Sequence, residues 1–158
     1  MEESRRGIMT LIVCLAIPLV VGGISSLISM GAMDTFNSMS KPWFAPPAWL
    51  FPIAWTVLYI LMGVASYLIY ISDSTLSGLA LFIYAAQLIF NFFWPIIFFN
   101  MNQQFFAMIW LIIMFVMIIT LIVLAFRINL AAAICLIPLG LWSSFALCLN
   151  LSIVRLNM

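Results

Sequence analysis

Three groups of side chains carry what chemistry this sequence offers. Lys41-Pro42-Trp43-Phe44-Ala45-Pro46-Pro47, followed by Trp49 and Trp55, gathers indoles, a phenyl ring and one cation in a short stretch. Each proline fixes its own φ and pushes the residue before it towards an extended conformation, so this stretch predicts a stiff, non-helical lid. Tyr84, Gln87, Asn91, Trp94 and Phe98 follow at spacings of three and four, which puts them on one face of a helix. Trp142, Phe145, Ala146, Leu149 and Asn150 repeat that arrangement, and Ala146 leaves space beside two aromatics. Trp55, Tyr59 and Ser66 roughly share a third face, with Gly63 beside it. Rings and amides of this kind bind by stacking, shape and a few hydrogen bonds.

Acid–base and metal chemistry are poorly provided for. The sequence has no histidine, and its four acids, Glu2, Glu3, Asp34 and Asp73, are far apart and outside the apolar runs. Cys14, Cys135 and Cys148 are odd in number and lie within apolar runs, which indicates neither a disulfide framework nor a metal site. Net charge of +1 gives no footprint for nucleic acid. No Asp, Glu, Lys or Arg lies at membrane depth, as an ion- or proton-driven transporter would usually require.

The elements that position these residues follow from hydropathy. Of 158 residues, 68% are hydrophobic and 6% charged, far outside the range of a soluble domain. An integral membrane protein is implied, all-α, with one domain over residues 1–158. Apolar runs of spanning length at about 20 residues each occur near 8–30, 49–71, 76–99, 105–126 and 130–154, joined by one long loop, 31–48, and three short ones. The first run is too long for a signal-peptide core and reads as a retained helix. Five crossings place the first loop, the third loop and the C-terminus on one face. Arg5, Arg6 and Arg127 then face Lys41 and Arg155, a count of three to two for a cytoplasmic N-terminus.

This topology brings Trp43, Trp49, Trp55, Trp94 and Trp110 towards the first-loop end, with Trp142 near the middle. An aromatic belt accounts for some clustering, but belts form at both interfaces, so a cavity opening under the loop is the favoured reading. Gln87 and Asn91 need partners in hydrocarbon. Helix-to-helix hydrogen bonds and a ligand contact both remain open for Asn91, and helix bonding is favoured for Gln87. Gly22, Ser25, Ser26 and Ser29 read as a close-packing surface on the first helix.

The same motifs carry a resemblance. The chain resembles the tryptophan-rich sensory protein and translocator protein family (TspO/MBR), also called the peripheral benzodiazepine receptor family. The similarity runs through Lys41–Pro47, Trp55–Tyr59 with Met62-Gly63 and Ser66-Tyr67, Gln87 with Asn91 and Trp94–Phe99, and Trp142 with Phe145-Ala146, Leu149-Asn150 and Arg155-Leu156-Asn157. It implies a five-helix membrane protein, commonly a homodimer, that binds porphyrins, haem-type tetrapyrroles, sterols and benzodiazepine-type drugs beneath the first loop. It also implies that Trp43, Trp55, Asn91, Trp94, Trp142, Phe145, Ala146 and Asn150 line or border that pocket. Phe44 stands where the family usually has tryptophan, and Thr35-Phe36 where tryptophan and tyrosine are common. No tyrosine lies between Leu147 and Arg155, so the sterol-recognition pattern of animal members is incomplete.

The functional expectation is therefore a membrane receptor or carrier for porphyrins and other flat hydrophobic molecules, with no obligatory cofactor and no metal. Trp43, Phe44, Trp55, Tyr59, Asn91, Trp94, Phe98, Trp142, Phe145, Ala146 and Asn150 form the binding set, and Lys41 supplies a charge at the mouth. One alternative is an enzyme that degrades porphyrin by light-dependent oxidation through Trp43 and Trp142. Another is a membrane scaffold whose polar groups only hold helices together.

Overall fold

The computed structural model describes residues 2–157, in which long helices account for nearly all regular structure. The elements are α1 (Glu2–Ile28), α2 (Ala32–Ser38), α3 (Leu50–Tyr70), α4 (Ser77–Pro95), α5 (Gln104–Ile128) and α6 (Leu130–Asn157), with a π-helical turn (Ile96–Asn100) extending α4. Five of these are long and apolar enough to cross a membrane. At about 1.5 Å per residue, the 21 residues of α3 cover roughly the thickness of a bilayer's hydrocarbon core. The protein is an integral, multi-pass membrane protein. Its lipid-facing surface agrees: Val20, Phe82, Ile89, Val116 and Ile134 are all exposed.

The long helices form a ring in which α1 leans on α3, α3 on α6, α6 on α5 and α5 on α4. α4 returns more lightly to α1 and also touches α3 across the middle. The α1–α3 approach depends on Gly63, where an added Cβ would lie 2.7 Å from Leu15 Cα and 2.8 Å from the Cys14 carbonyl oxygen. Backbones this close gain dispersion contacts that side chains would prevent.

Proline shapes the end of α4. Pro95 has no N–H to return to the turn before it, and the helix then widens, with Met101 N–H donating to Ile96 O at 2.9 Å. Pro138 lies inside α6, which runs continuously through it.

Two features differ from expectation. α1 begins at Glu2 and so takes the charged residues Arg5 and Arg6 into its first turns. The first loop is not irregular throughout, since α2 occupies its first half. Asp34 sits favourably in the first turn of α2. At the other end Lys41 Nζ donates to Phe36 O at 3.0 Å and Asn37 O at 3.2 Å, and lies 4.8 Å from the centre of the Phe36 ring. The Lys41–Pro47 stretch itself is non-helical, with a turn closed by Ala45 N–H to Pro42 O at 3.0 Å.

Candidate functional site

Beneath the lid lies a cavity of about 300 Å³ between α1, α2, α3 and α4. Phe36 of α2 points down into it and is almost fully buried against Phe51, with ring centres 5.1 Å apart. Trp55, Tyr59, Asn91 and Trp94 form the inner wall. Trp55 and Tyr59, one turn apart on α3, lie 5.5 Å apart at an interplanar angle of 30°. Tyr59 can lie flat there because Gly22 of α1 has no side chain; an added Cβ would sit 2.0 Å from the ring.

The polar chemistry centres on Asn91. Tyr59 Oη donates to Asn91 Oδ1 at 3.0 Å, which fixes the amide and leaves its Nδ2 without a protein partner. Trp94, one turn further along α4, also has an unpartnered indole N–H and stacks on Phe98 at 5.2 Å. Two small voids of about 10 and 20 Å³ continue past Trp94 and Phe51 towards α6. One is bordered by Trp142, Ser143 and Ala146, the other by Phe98, Ala146 and Asn150. The Trp142 indole, the Ser143 hydroxyl and both ends of the Asn150 amide are buried without partners.

This set is unbalanced. Indole N–H groups only donate, and the free atom of Asn91 is also a donor, so the cavity wall presents mainly hydrogen-bond donors. Each buried polar atom left unpaired costs about 1–3 kcal/mol. A flat aromatic molecule with carbonyl or carboxylate acceptors would relieve that cost. Among the described residues no group of side chains could hold a metal ion.

The expected site residues divide by position. Trp55, Tyr59, Asn91 and Trp94 wall the main cavity, and Phe98, Trp142, Ala146 and Asn150 border the voids behind it. Phe44 and Phe145 pack edge to face at 6.3 Å, and Phe145 also lies against Trp142 at 5.7 Å, so both support the wall from behind. Trp43 does not line the cavity. It is 95% exposed, touching Phe44 edge-on at 5.8 Å, because the turn at Pro42 directs it outward. Trp49 is likewise exposed, and Trp110 donates its indole N–H to Phe90 O at 2.9 Å on the far side of α4. The tryptophans of the first-loop end thus divide, Trp55 and Trp94 walling the cavity and Trp43 and Trp49 standing exposed. Lys41 is held by the end of α2 rather than free at a mouth.

α1 and α2 supply part of the cavity wall that spacing alone did not assign. Gly22, Ser25, Ser26 and Ser29 line the cavity along with Met33 and Phe36. Ser25 also packs, donating to Phe92 O at 2.7 Å, while the Ser29 hydroxyl is buried and unpartnered. Their small size at spacings of three and four, level with the tryptophans, was the available signal. A larger hollow of about 830 Å³ lies elsewhere, between α1 and α4. It is an open-sided groove with mostly apolar walls.

The lid is tied at several points. Asn157, at the end of α6, donates from Nδ2 to Ser40 O at 2.9 Å and accepts from Ser40 N–H at 3.2 Å. Asn100 Nδ2 donates to Ile28 O at 2.8 Å, closing the end of α1.

Comparison with known proteins places this architecture. The model of the TspO/MBR family matches residues 14–156. The tryptophan-rich sensory protein of Cereibacter sphaeroides is 35% identical over 78% of this chain and 77% of its own. The tryptophan-rich protein TspO of Chlorobaculum tepidum is 32% identical over 97% of this chain and 99% of its own. The translocator protein of Sus scrofa is 31% identical over 89% and 86% respectively.

Proposed function

The chain belongs to the TspO/MBR family, and we propose that it acts as a membrane receptor or carrier that takes porphyrins and other flat hydrophobic molecules into the cavity beneath its first loop. The observation that carries this reading is the Asn91 amide, fixed by Tyr59 so that its N–H₂ remains unpaired beside Trp55 and Trp94. Such a constellation offers two aromatic faces and one oriented donor. The family relationship adds that a relative is named a sensory protein and another a translocator.

The cavity's size bears on the ligand. At about 300 Å³ it lies at the lower end of the range of roughly 300–1,000 Å³ usual for small-molecule sites. A benzodiazepine-sized molecule suits it as it stands. A tetrapyrrole requires Trp94 and Phe51 to turn so that the cavity joins the voids beside Trp142 and Asn150, where acidic substituents would meet unpaired N–H groups. Sterols have no comparable claim, since they lack a delocalised ring to stack and bring one hydroxyl to many donors. The same reading includes a homodimer and a cytoplasmic N-terminus, checked by light scattering in detergent and by labelling of introduced cysteines with an impermeant reagent.

The deciding experiment is a titration of protoporphyrin against wild-type protein and the Trp55→Ala and Asn91→Ala variants. Loss of a hydrogen bond of about 1.5 kcal/mol predicts roughly tenfold weaker binding by Asn91→Ala. Equal affinities in all three proteins would remove this site from consideration.

A further inference from the structure

The cavity is closed above and open at the side. Leu19, Gly23 and Ser26 of α1, Met33 of α2, and Pro52 and Thr56 of α3 all line it, and all six are exposed on the outer surface of the bundle. They outline a window between α1 and α3. Its lower edge is the contact of Gly22 with Tyr59, below which Gly63 brings the two helices together, and its upper edge is α2. Gly23 lies in the opening itself, because a Cβ built on it meets nothing within 4 Å. The rim carries no charge, and the one threonine hydroxyl is spent on its own helix, Thr56 Oγ1 donating to Pro52 O at 2.8 Å.

The roof is a harder way in. The lid is held by the paired hydrogen bonds of Asn157 with Ser40 and by Phe36 buried to 3% exposure inside the cavity, and it is stiffened internally by Lys41 on the last carbonyls of α2. Opening it would break the Asn157 clasp and expose Phe36. The window asks only for passage between small side chains.

We infer that ligands reach this cavity sideways, from the membrane leaflet on the lid side, through the window between α1 and α3. The inference rests on the reading of the cavity as a ligand site and narrows its ligand class. The rim runs from Ser26, two residues from the end of α1, down to Leu19, nine residues from it, and Thr56 lies six residues from the start of α3, so the window spans roughly 3–14 Å from the helix ends. Its upper part lies in the interfacial zone, where flat amphipathic aromatics collect. The ligands are molecules that partition into that layer with an apolar ring inward and a polar edge towards water. Molecules confined to water are not delivered by this route.

Stopped-flow quenching of tryptophan fluorescence by protoporphyrin, on protein in lipid nanodiscs, tests the route. Gly23→Ala, Gly23→Leu and Gly23→Trp narrow the window in steps without meeting the protein interior. Association and dissociation should both slow along the series, by about tenfold in Gly23→Trp. Asn157→Ala, which loosens the lid, should leave both rates unchanged. Wild-type rates throughout the Gly23 series would overturn the lateral route, whether or not Asn157→Ala speeds exchange. Gly23→Leu decides the matter if Gly23→Trp does not fold. Absence of wild-type binding, or an Asn91→Ala variant with wild-type affinity, would instead overturn the ligand-site reading.

Discussion

Neighbouring helices α4 and α5 have inner faces with the same spacing and opposite chemistry. The buried residues of α5 are Ala107, Leu111, Met114, Ile118, Leu121 and Ala125, an unbroken apolar row. Those of α4 are Ala80, Tyr84, Gln87, Leu88, Asn91 and Trp94. The first row interlocks with α6 and leaves no polar atom to satisfy. The second brings two amides, a phenol and an indole into the bundle, and Gln87 makes no side-chain hydrogen bond at either end although it is fully buried. Packing density is what α5 contributes. α4 contributes polar groups without partners, at a cost in stability of about 1–3 kcal/mol for each atom left unpaired.

If that division is right, damage to the two faces should separate cleanly. The largest effect is expected from Ile118→Ala, which leaves a cavity in the apolar row and should lower the unfolding free energy by about 3 kcal/mol in detergent, with protoporphyrin affinity of the folded protein unchanged. Next comes the introduction of α4 chemistry into α5. Leu121→Gln buries an amide with no partner and should cost about 2 kcal/mol by the same measurement. The reciprocal change, Gln87→Met, removes an unpaired amide at similar volume and should be neutral or stabilising by about 1 kcal/mol. A loss of 2 kcal/mol there would show instead that Gln87 bonds the helices together and would blur the contrast. The smallest effect belongs to Trp43→Ala, which removes an exposed ring and should change stability by less than about 0.5 kcal/mol. Affinity for protoporphyrin should also stay within twofold, or about 0.4 kcal/mol. A larger loss of affinity would mean that Trp43 turns inward when ligand binds.

The contrast also marks how far sequence alone reaches. Hydropathy revealed the five crossings because a spanning helix must be apolar over its whole length, whatever its neighbours are. The spacing of Tyr84, Gln87, Asn91 and Trp94 exposed the polar face of α4, since amides cannot be left against lipid. Rotation and depth are different matters. Topology placed Trp43, Trp49, Trp55, Trp94 and Trp110 at one end, but which of them faces inward depends on how neighbouring helices cross and on how the loop turns at Pro42. These separate Trp55 from the exposed Trp43 and Trp49. α2 escaped notice for another reason. Seven residues cannot sustain a helix by propensity, and this one is held by Lys41 at its end and by the burial of Phe36. Gly22 and the serines of α1 looked like packing residues, and Gly22 and Ser25 are that too. Their second role depends on depth and rotation, which set them level with Trp55 and Tyr59 on the cavity wall.

The clasp between Asn157 and Ser40 joins positions 117 residues apart in the chain. During synthesis at about 5–20 residues per second, the lid emerges roughly 6–23 s before the helix that fastens it. The cavity's wall on α1 is made before the lid and those on α3 and α4 within that interval, so the roof is set last, after α6 has been made. Until then the roof of a newly made molecule lacks this fastening, which only the completed chain carries.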